Sequence, residues 1–159
     1  MKIPVTQAIR YLRQKNVDFV PHLFDYVEKG GTSHTAEVLG VDEHIVIKTL
    51  VFETNDKKPL IVLQHGDREV SEKNLARHLE VKSIVPASAD RETKLTGYIF
   101  GGTSPFGIKT KMPIYAEHSI FDLPKILING GKRGFQVEID PKVLRDILDI
   151  EVVEIGIGG

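Results

Sequence analysis

The chain has 159 residues, 41% hydrophobic and 27% charged, with 21 Lys+Arg against 22 Asp+Glu and a formal net charge of -1. That size and balance fit one globular domain over residues 1–159 with a true core, and they carry no global basic signal for nucleic acid. The absence of Cys excludes disulfides and thiolate metal sites and fits a reducing, cytoplasmic setting, while the lack of a signal-like or transmembrane-length apolar run leaves no membrane partner to expect.

Residues 4–15 place Val5, Ala8, Ile9 and Leu12 at helical spacing, with Pro4 in the first turn and Asn16 as a stop, and so predict an amphipathic helix. The alternating DFVPHLFDYV (18–27) predicts a strand interrupted at Pro21. KGGTS (29–33) reads as a loop and HTAEVLGV (34–41) as a short helix closing at Gly40. HIVIKTLVFE (44–53) is dense in β-branched residues and predicts a central strand. A turn over 54–59 then joins it to a second strand, LIVLQ (60–64), as a hairpin.

SEKNLARHL (71–79) predicts a helix capped by Ser71, KSIVPA (82–87) a short strand, and SADRETKLTG (88–97) a helical turn closing at Gly97. Beyond a glycine-rich loop, PIYAEHSIF (113–121), KILINGG (125–131) and FQVEID (135–140) read as three strands. DPKVLRDIL (140–148) reads as a helix capped by Asp140, EVVEIG (151–156) as a last strand, and IGG as a fraying tail. The sum is an α+β fold: a mixed, mostly antiparallel, barrel-like sheet with flanking helices.

Conventional catalytic patterns are weak. The six His, at 22, 34, 44, 65, 78 and 118, show no helical metal-ligand spacing, so no metal or cofactor is expected. Ser104, in GGTSPFG, is not a nucleophile elbow, because Pro105 follows it and the second glycine comes one residue late. Gly102, Gly107, Lys109 and Thr110 approach a phosphate loop, but Ile108 breaks its register and Pro113 forbids the helix that should follow.

What remains is a loop whose backbone N–H groups can converge on one oxygen, with Gly101 and Gly102 permitting close approach. Lys48 stands in an apolar strand and must reach solvent or an anion. A second loop, NGGKRGF (129–135), offers Gly130, Gly131, Lys132 and Arg133, and with Lys109 and Lys111 suggests a local basic rim.

Three of these stretches, VIKTLVFE, TGYIFGGTSPFG and INGGKRGFQVEI, together resemble the YbaK/EbsC family. These are freestanding aminoacyl-tRNA deacylases similar to the editing domain inserted in bacterial prolyl-tRNA synthetases. The resemblance covers residues 4–155. It implies a mixed barrel-like sheet and hydrolysis of a mischarged aminoacyl-tRNA ester, Cys-tRNA(Pro) first, in trans-editing.

Lys48 matches the Lys of the family's Lys-Thr strand, and Gly101, Ser104 and Pro105 match its G-x-x-S-P loop. The resemblance thus puts Lys48, Gly101, Gly102, Thr103 and Ser104 in catalysis. It puts Phe24, Tyr26, Thr49, Pro105, Phe106, Gly130, Gly131, Lys132, Arg133 and Gln136 in substrate binding. In the family picture the substrate's own thiol attacks its carbonyl while loop N–H groups hold the oxyanion, so no protein nucleophile is needed.

At Phe24 and Gln136 the chain departs from the family pattern, which carries Tyr and Asp there. The implied partners are the tRNA(Pro) acceptor end and prolyl-tRNA synthetase. Alanyl-tRNA editing, a non-catalytic module that grips a tRNA end, and a nucleotide hydrolase are the competing readings.

Overall fold

A computed structural model describes residues 2–158. Helix α1 (Gln7–Gln14) starts later than the stripe suggests, because Thr6 caps it: Thr6 Oγ1 accepts from the Ile9 amide at 3.1 Å. Val5 is left outside, more than half exposed, while Ala8, Ile9 and Leu12 are fully buried. Strand β1 (Val20–Leu23) is shorter than the alternation predicted; residues 24–27 leave the sheet and turn toward the molecule's main cleft. Helix α2 (Gly31–Leu39) takes in residues expected as loop and closes at Gly40 in the left-handed conformation.

Strands β2 (Val46–Thr54) and β3 (Pro59–His65) form the expected hairpin. Next come β4 (Glu69–Val70), α3 (Glu72–Leu79) capped by Ser71, β5 (Ile84–Pro86), and α4 (Ala89–Thr96) between Ser88 and Gly97. Strand β6 (Ile114–Glu117) ends early, and His118–Asp122 winds into a 3-10 helix where a strand was expected. The chain closes with β7 (Ile126–Lys132), β8 (Phe135–Ile139), α5 (Lys142–Ile147), β9 (Ile150–Val153) and β10 (Gly156–Ile157). Asp140 Oδ1 accepts from the Lys142 amide at 2.9 Å, the capping bond expected, although α5 begins a residue later than predicted, with Pro141 rather than Asp140 at the cap position.

The large sheet runs β1-β8-β7-β2-β3-β6-β9, with parallel pairs at β2/β7, β3/β6 and β6/β9 and the other neighbours antiparallel. This is the mixed, mostly antiparallel α+β architecture expected. Of the expected fraying tail, Ile157 joins a strand instead: β10 pairs with β4, Gly156 opposite Val70 and Ile157 opposite Glu69, while Gly159 lies outside the described residues.

One feature of this topology makes the cleft. Strand β2 pairs with β3 along nearly its whole length, but its other edge is shared. There β7 takes Val46 and Ile47, and β5 takes Phe52 to Thr54. Between them, among the described residues, Lys48 to Leu50 have no strand partner on that edge, Val51 O accepts only the Ala87 amide just past β5 at 3.0 Å, and the sheet parts.

Helices cover both faces. One core joins Ile9 and Leu12 of α1, Leu95 of α4 and Leu144 of α5 to Ile47, Ile61, Ile128 and Val137 of the sheet. On the other face Leu75 of α3 packs with Phe52, Val62 and Tyr115, and Ala36 of α2 with Val46 and Leu127.

Candidate active site

A cleft of about 580 Å³ opens where β2 loses its neighbour. Its walls come from Ile47, Lys48, Thr49 and Leu50 of β2, from the segment after β1 with the first turn of α2, from α4 and the glycine loop, and from the β7–β8 hairpin. A central strand thereby presents side chains to a hollow rather than to another strand.

Lys48 stands in this gap with its side chain 17% exposed, and Nζ lies 3.8 Å from Glu69 Oε1. The sequence showed a lone cation; the fold supplies a carboxylate from β4, itself largely exposed. Such a loose pair holds the ammonium without neutralising it strongly, so it can exchange Glu69 for an anionic ligand.

The glycine loop follows α4 as irregular backbone. Gly101 has φ 91°, open to glycine at little cost, and a Cβ there would sit 2.9 Å from the Tyr26 hydroxyl. A Cβ on Gly102 would meet Arg133 N at 2.8 Å, so the loop lies directly against the β7–β8 turn. Arg133 Nε donates to Phe100 O at 2.9 Å and Asn129 Nδ2 to Gly101 O at 3.2 Å, tying loop to hairpin. The guanidinium also covers the Tyr26 ring at 4.9 Å.

The loop's amides are not equivalent. Gly102 N–H donates to Ile99 O at 2.7 Å and is spent in a turn. Among the described residues, Gly101 and Thr103 have no internal acceptor for theirs, and both residues line the cleft. Ser104 does not. It is fully buried, and its Oγ accepts from Phe106 N at 3.2 Å, so its hydroxyl braces the loop from behind.

Lys109 and Thr110 give their amides to Thr96 O and Leu95 O, which removes them from any phosphate cradle. Of the residues the resemblance assigns, Lys48, Thr49, Gly101, Thr103, Phe24, Tyr26, Arg133 and Gln136 line the cleft. Gly102, Ser104, Pro105, Phe106, Gly130, Gly131 and Lys132 stand outside its lining, where Phe106 is core and Gly130 packs on the Phe135 ring. Of the suggested basic rim, only Arg133 reaches the cleft; Lys109, Lys111 and Lys132 do not.

Among the described residues, two that line the cleft carry buried side-chain oxygens without a protein partner, Thr49 Oγ1 and Gln136 Oε1. Glu92 of α4, which nothing in the sequence singled out, also lines the cleft, and its buried carboxyl accepts a hydrogen bond from Thr103 Oγ1. Burial pushes that carboxyl above the ordinary carboxylate range, and the Thr103 bond opposes the shift. A helix-surface spacing gives no hint that position 92 turns inward.

Outside the cleft, the β2–β3 hairpin brings His44, His65 and Asp67 together, with donor atoms within 4.8 Å. The His rings stack at 3.7 Å with a 5° interplanar angle, so their nitrogens run parallel rather than converge. Both His65 nitrogens are engaged, Nδ1 with His44 O and Nε2 with Ser119 Oγ, each at 2.7 Å, which makes the group a hydrogen-bonded brace.

Comparison with known proteins sets this cleft in a family. Residues 29–147 match the model of the aminoacyl-tRNA editing domain. The chain belongs to the aminoacyl-tRNA editing domain family. A protein of Enterococcus faecalis, provisionally named the Cys-tRNA(Pro)/Cys-tRNA(Cys) deacylase EbsC, is 30% identical over 151 residues, 94% of this chain and 92% of that one.

The proline–tRNA ligase of Ligilactobacillus salivarius is 31% identical over 125 residues, which span 76% of this chain but 22% of the ligase. A solved structure described as a trans-editing enzyme for prolyl tRNA synthetase superposes with a TM-score of 0.83 over 99% of this chain at 20% identity, a likeness of fold. The expected enzyme class, an aminoacyl-tRNA deacylase, follows from membership of this editing family.

Proposed function

We propose that this editing-domain protein hydrolyses the ester joining a mischarged amino acid to the 3′-terminal adenosine of a tRNA, in trans, with Cys-tRNA(Pro) as first substrate. The observation that carries the reading is the break in β2's pairing. It sets the Lys48 ammonium and two uncommitted amides, those of Gly101 and Thr103, around one cleft.

An aminoacyl ester is already activated, so donors aimed at its carbonyl suffice where an amide would need a strong nucleophile. With Cys as the amino acid, the thiol sulfur attacks its own carbonyl. The C–O bond to the ribose breaks, the ribose oxygen leaves with the thiol's proton, and water opens the cyclic thioester that results. The amides of Gly101 and Thr103 hold the oxyanion, and Lys48 exchanges Glu69 for the terminal phosphate or the developing charge. Proximity inside the cleft supplies much of the rate.

Phe24, Leu50 and Phe100 leave an apolar wall for a small side chain, and Thr49 Oγ1 and Gln136 Oε1 offer hydrogen-bonding oxygens to the substrate's hydroxyls or amine. A net charge of -1 supports weak, salt-sensitive tRNA binding and a partner such as prolyl-tRNA synthetase to hold the tRNA body in the cytoplasm.

The test is deacylation of Cys-tRNA(Pro), Ala-tRNA(Pro) and Pro-tRNA(Pro) by the wild type and by Lys48→Ala. The expected result is loss of the Cys ester alone, slowed about a hundredfold in the variant with its thermal midpoint unchanged. Loss of the Ala ester instead would move the specificity to Phe24 and Gln136. Binding of tRNA with no hydrolysis of any ester would favour a non-catalytic gripping module.

A further inference from the structure

Glu92 is the one buried acid in the cleft that the proposed mechanism leaves unused. It is 5% exposed and borders both the main cleft and an adjoining hollow of about 190 Å³. Thr103 Oγ1 donates to its Oε2, and Thr103 is also one of the two loop residues with a free amide. The neighbouring cation is turned away, since Arg91 Nε binds Glu53 Oε2 at 3.0 Å.

Among the described residues Glu92 has no ion pair. Lys48 is drawn to Glu69, and Arg133 to the Phe100 carbonyl and the Tyr26 ring. The remaining charged or titratable groups around it do not compensate. Glu69 and Glu72 border the hollow and repel a second negative charge. Glu28, Lys29 and His34 line the cleft from the segment around the start of α2, with no bond to the carboxyl. An ionised carboxylate buried without a cation costs far more than the neutral acid, which keeps the Thr103 hydrogen bond.

We propose that Glu92, held as the neutral acid, is a positioning residue of this cleft: it clamps Thr103 so that the Gly101–Thr103 loop faces the ester, and it keeps negative charge away from the forming oxyanion. The inference rests on the deacylase reading for its kinetic half. Ionisation would leave the Thr103 bond intact but set a fixed negative charge beside the carbonyl, opposing the oxyanion and the terminal phosphate alike. The sign is fixed: the wild type must lose activity as pH rises through the Glu92 pKa, and Glu92→Gln cannot show that limb.

The experiment measures single-turnover deacylation of the mischarged tRNA by wild type, Glu92→Gln and Glu92→Ala from about pH 4.5 to about pH 8.5, with amide exchange of residues 99–104 followed in parallel. Titration of the substrate amine and spontaneous ester hydrolysis are common to all three, so the ratio of wild type to Glu92→Gln isolates the carboxyl. That ratio should fall about tenfold from the acid to the alkaline end. Glu92→Ala should be slow throughout and exchange its loop amides faster.

A flat ratio overturns the proposal, as does a Glu92→Gln enzyme no faster than Glu92→Ala at every pH. If the wild type hydrolyses no aminoacyl-tRNA, the deacylase reading has failed. The exchange data then decide the clamp: faster loop exchange in Glu92→Ala upholds it, and unchanged exchange overturns it.

Discussion

Thr49 Oγ1 is buried on a cleft residue and has no hydrogen-bond partner. A buried hydroxyl without a protein partner contributes about 1–3 kcal/mol less to folding than a satisfied one. Replacing it with an isosteric methyl should therefore have opposite effects on folding and on binding. Thr49→Val is expected to raise the urea midpoint by an amount worth about 1 kcal/mol while raising KM for the aminoacyl-tRNA severalfold. A variant that loses stability would show that Thr49 is held by the protein, and one with unchanged KM would remove it from the substrate's path.

Residues of this kind were only partly legible. Lys48 announced itself because a charge in a β-branched strand is anomalous, and the glycine loop because its composition is. Glu92, Asn129 and Thr32, the last a cleft-lining residue in the first turn of α2, gave no such signal. Each is an ordinary polar residue on a helix or strand, and only the way α4, the β7–β8 hairpin and α2 meet brings them to the cleft.

At the scale of elements, the local rules held where the structure is local. Ser71, Ser88, Gly40 and Gly97 end or begin helices as their chemistry dictates, and the β2–β3 hairpin follows from two apolar runs and a turn. The rules failed where pairing is distant. Strands β4 and β10 are two residues each and exist only because they find one another across 86 positions (156 minus 70). Ile155 N–H donates to the fully buried Glu117 Oε1 at 3.0 Å, and Ser71 N–H to Ile155 O at 2.7 Å. Arg68 donates to Gly156 O at 2.9 Å.

Deleting residues 155–159 would thus take a donor from a buried carboxylate and strip β4 of its partner. The expected loss is about 2–4 kcal/mol in urea unfolding. Because β4 carries Glu69, the Lys48 pair should loosen too, so activity should fall further than the loss of folded protein explains. A truncated chain with the parent's midpoint and rate would return β10 to the status of a fraying tail.

For the whole molecule, two buried groups pull stability in opposite directions on the acid side of neutral, while burial raises the Tyr98 and Tyr115 hydroxyls on the alkaline side. Burial holds the His65 imidazole below its ordinary value of 6.5, with the nearby His44 acting in the same direction and the His44 carbonyl and the Asp67 and Glu117 charges opposing. The carbonyl can only accept, so Nδ1 carries the proton and Nε2 takes the Ser119 hydroxyl; the neutral ring is the form the fold satisfies. A lowered folded pKa means that the unfolded chain binds the proton first. The stabilisation is therefore present above the unfolded pKa, near 6.5, and is lost as pH falls through the folded one.

Glu92 runs the other way. Its raised pKa gives stability that is full below the ordinary value of 4.5 and lost as pH rises through the folded value. In mildly acid solution the two therefore oppose one another, and the wild-type curve alone would hide both. Single substitutions separate them. Across the span between its folded and unfolded pKa values, His65→Asn should lose an acid-side slope of up to about 1.4 kcal/mol per pH unit in urea-derived stability. Over its own span Glu92→Gln should gain stability relative to the wild type as pH rises. Parallel curves for wild type and His65→Asn would mean that His65 titrates alike folded and unfolded, and that the brace beneath β2 and β3 plays no part in acid unfolding.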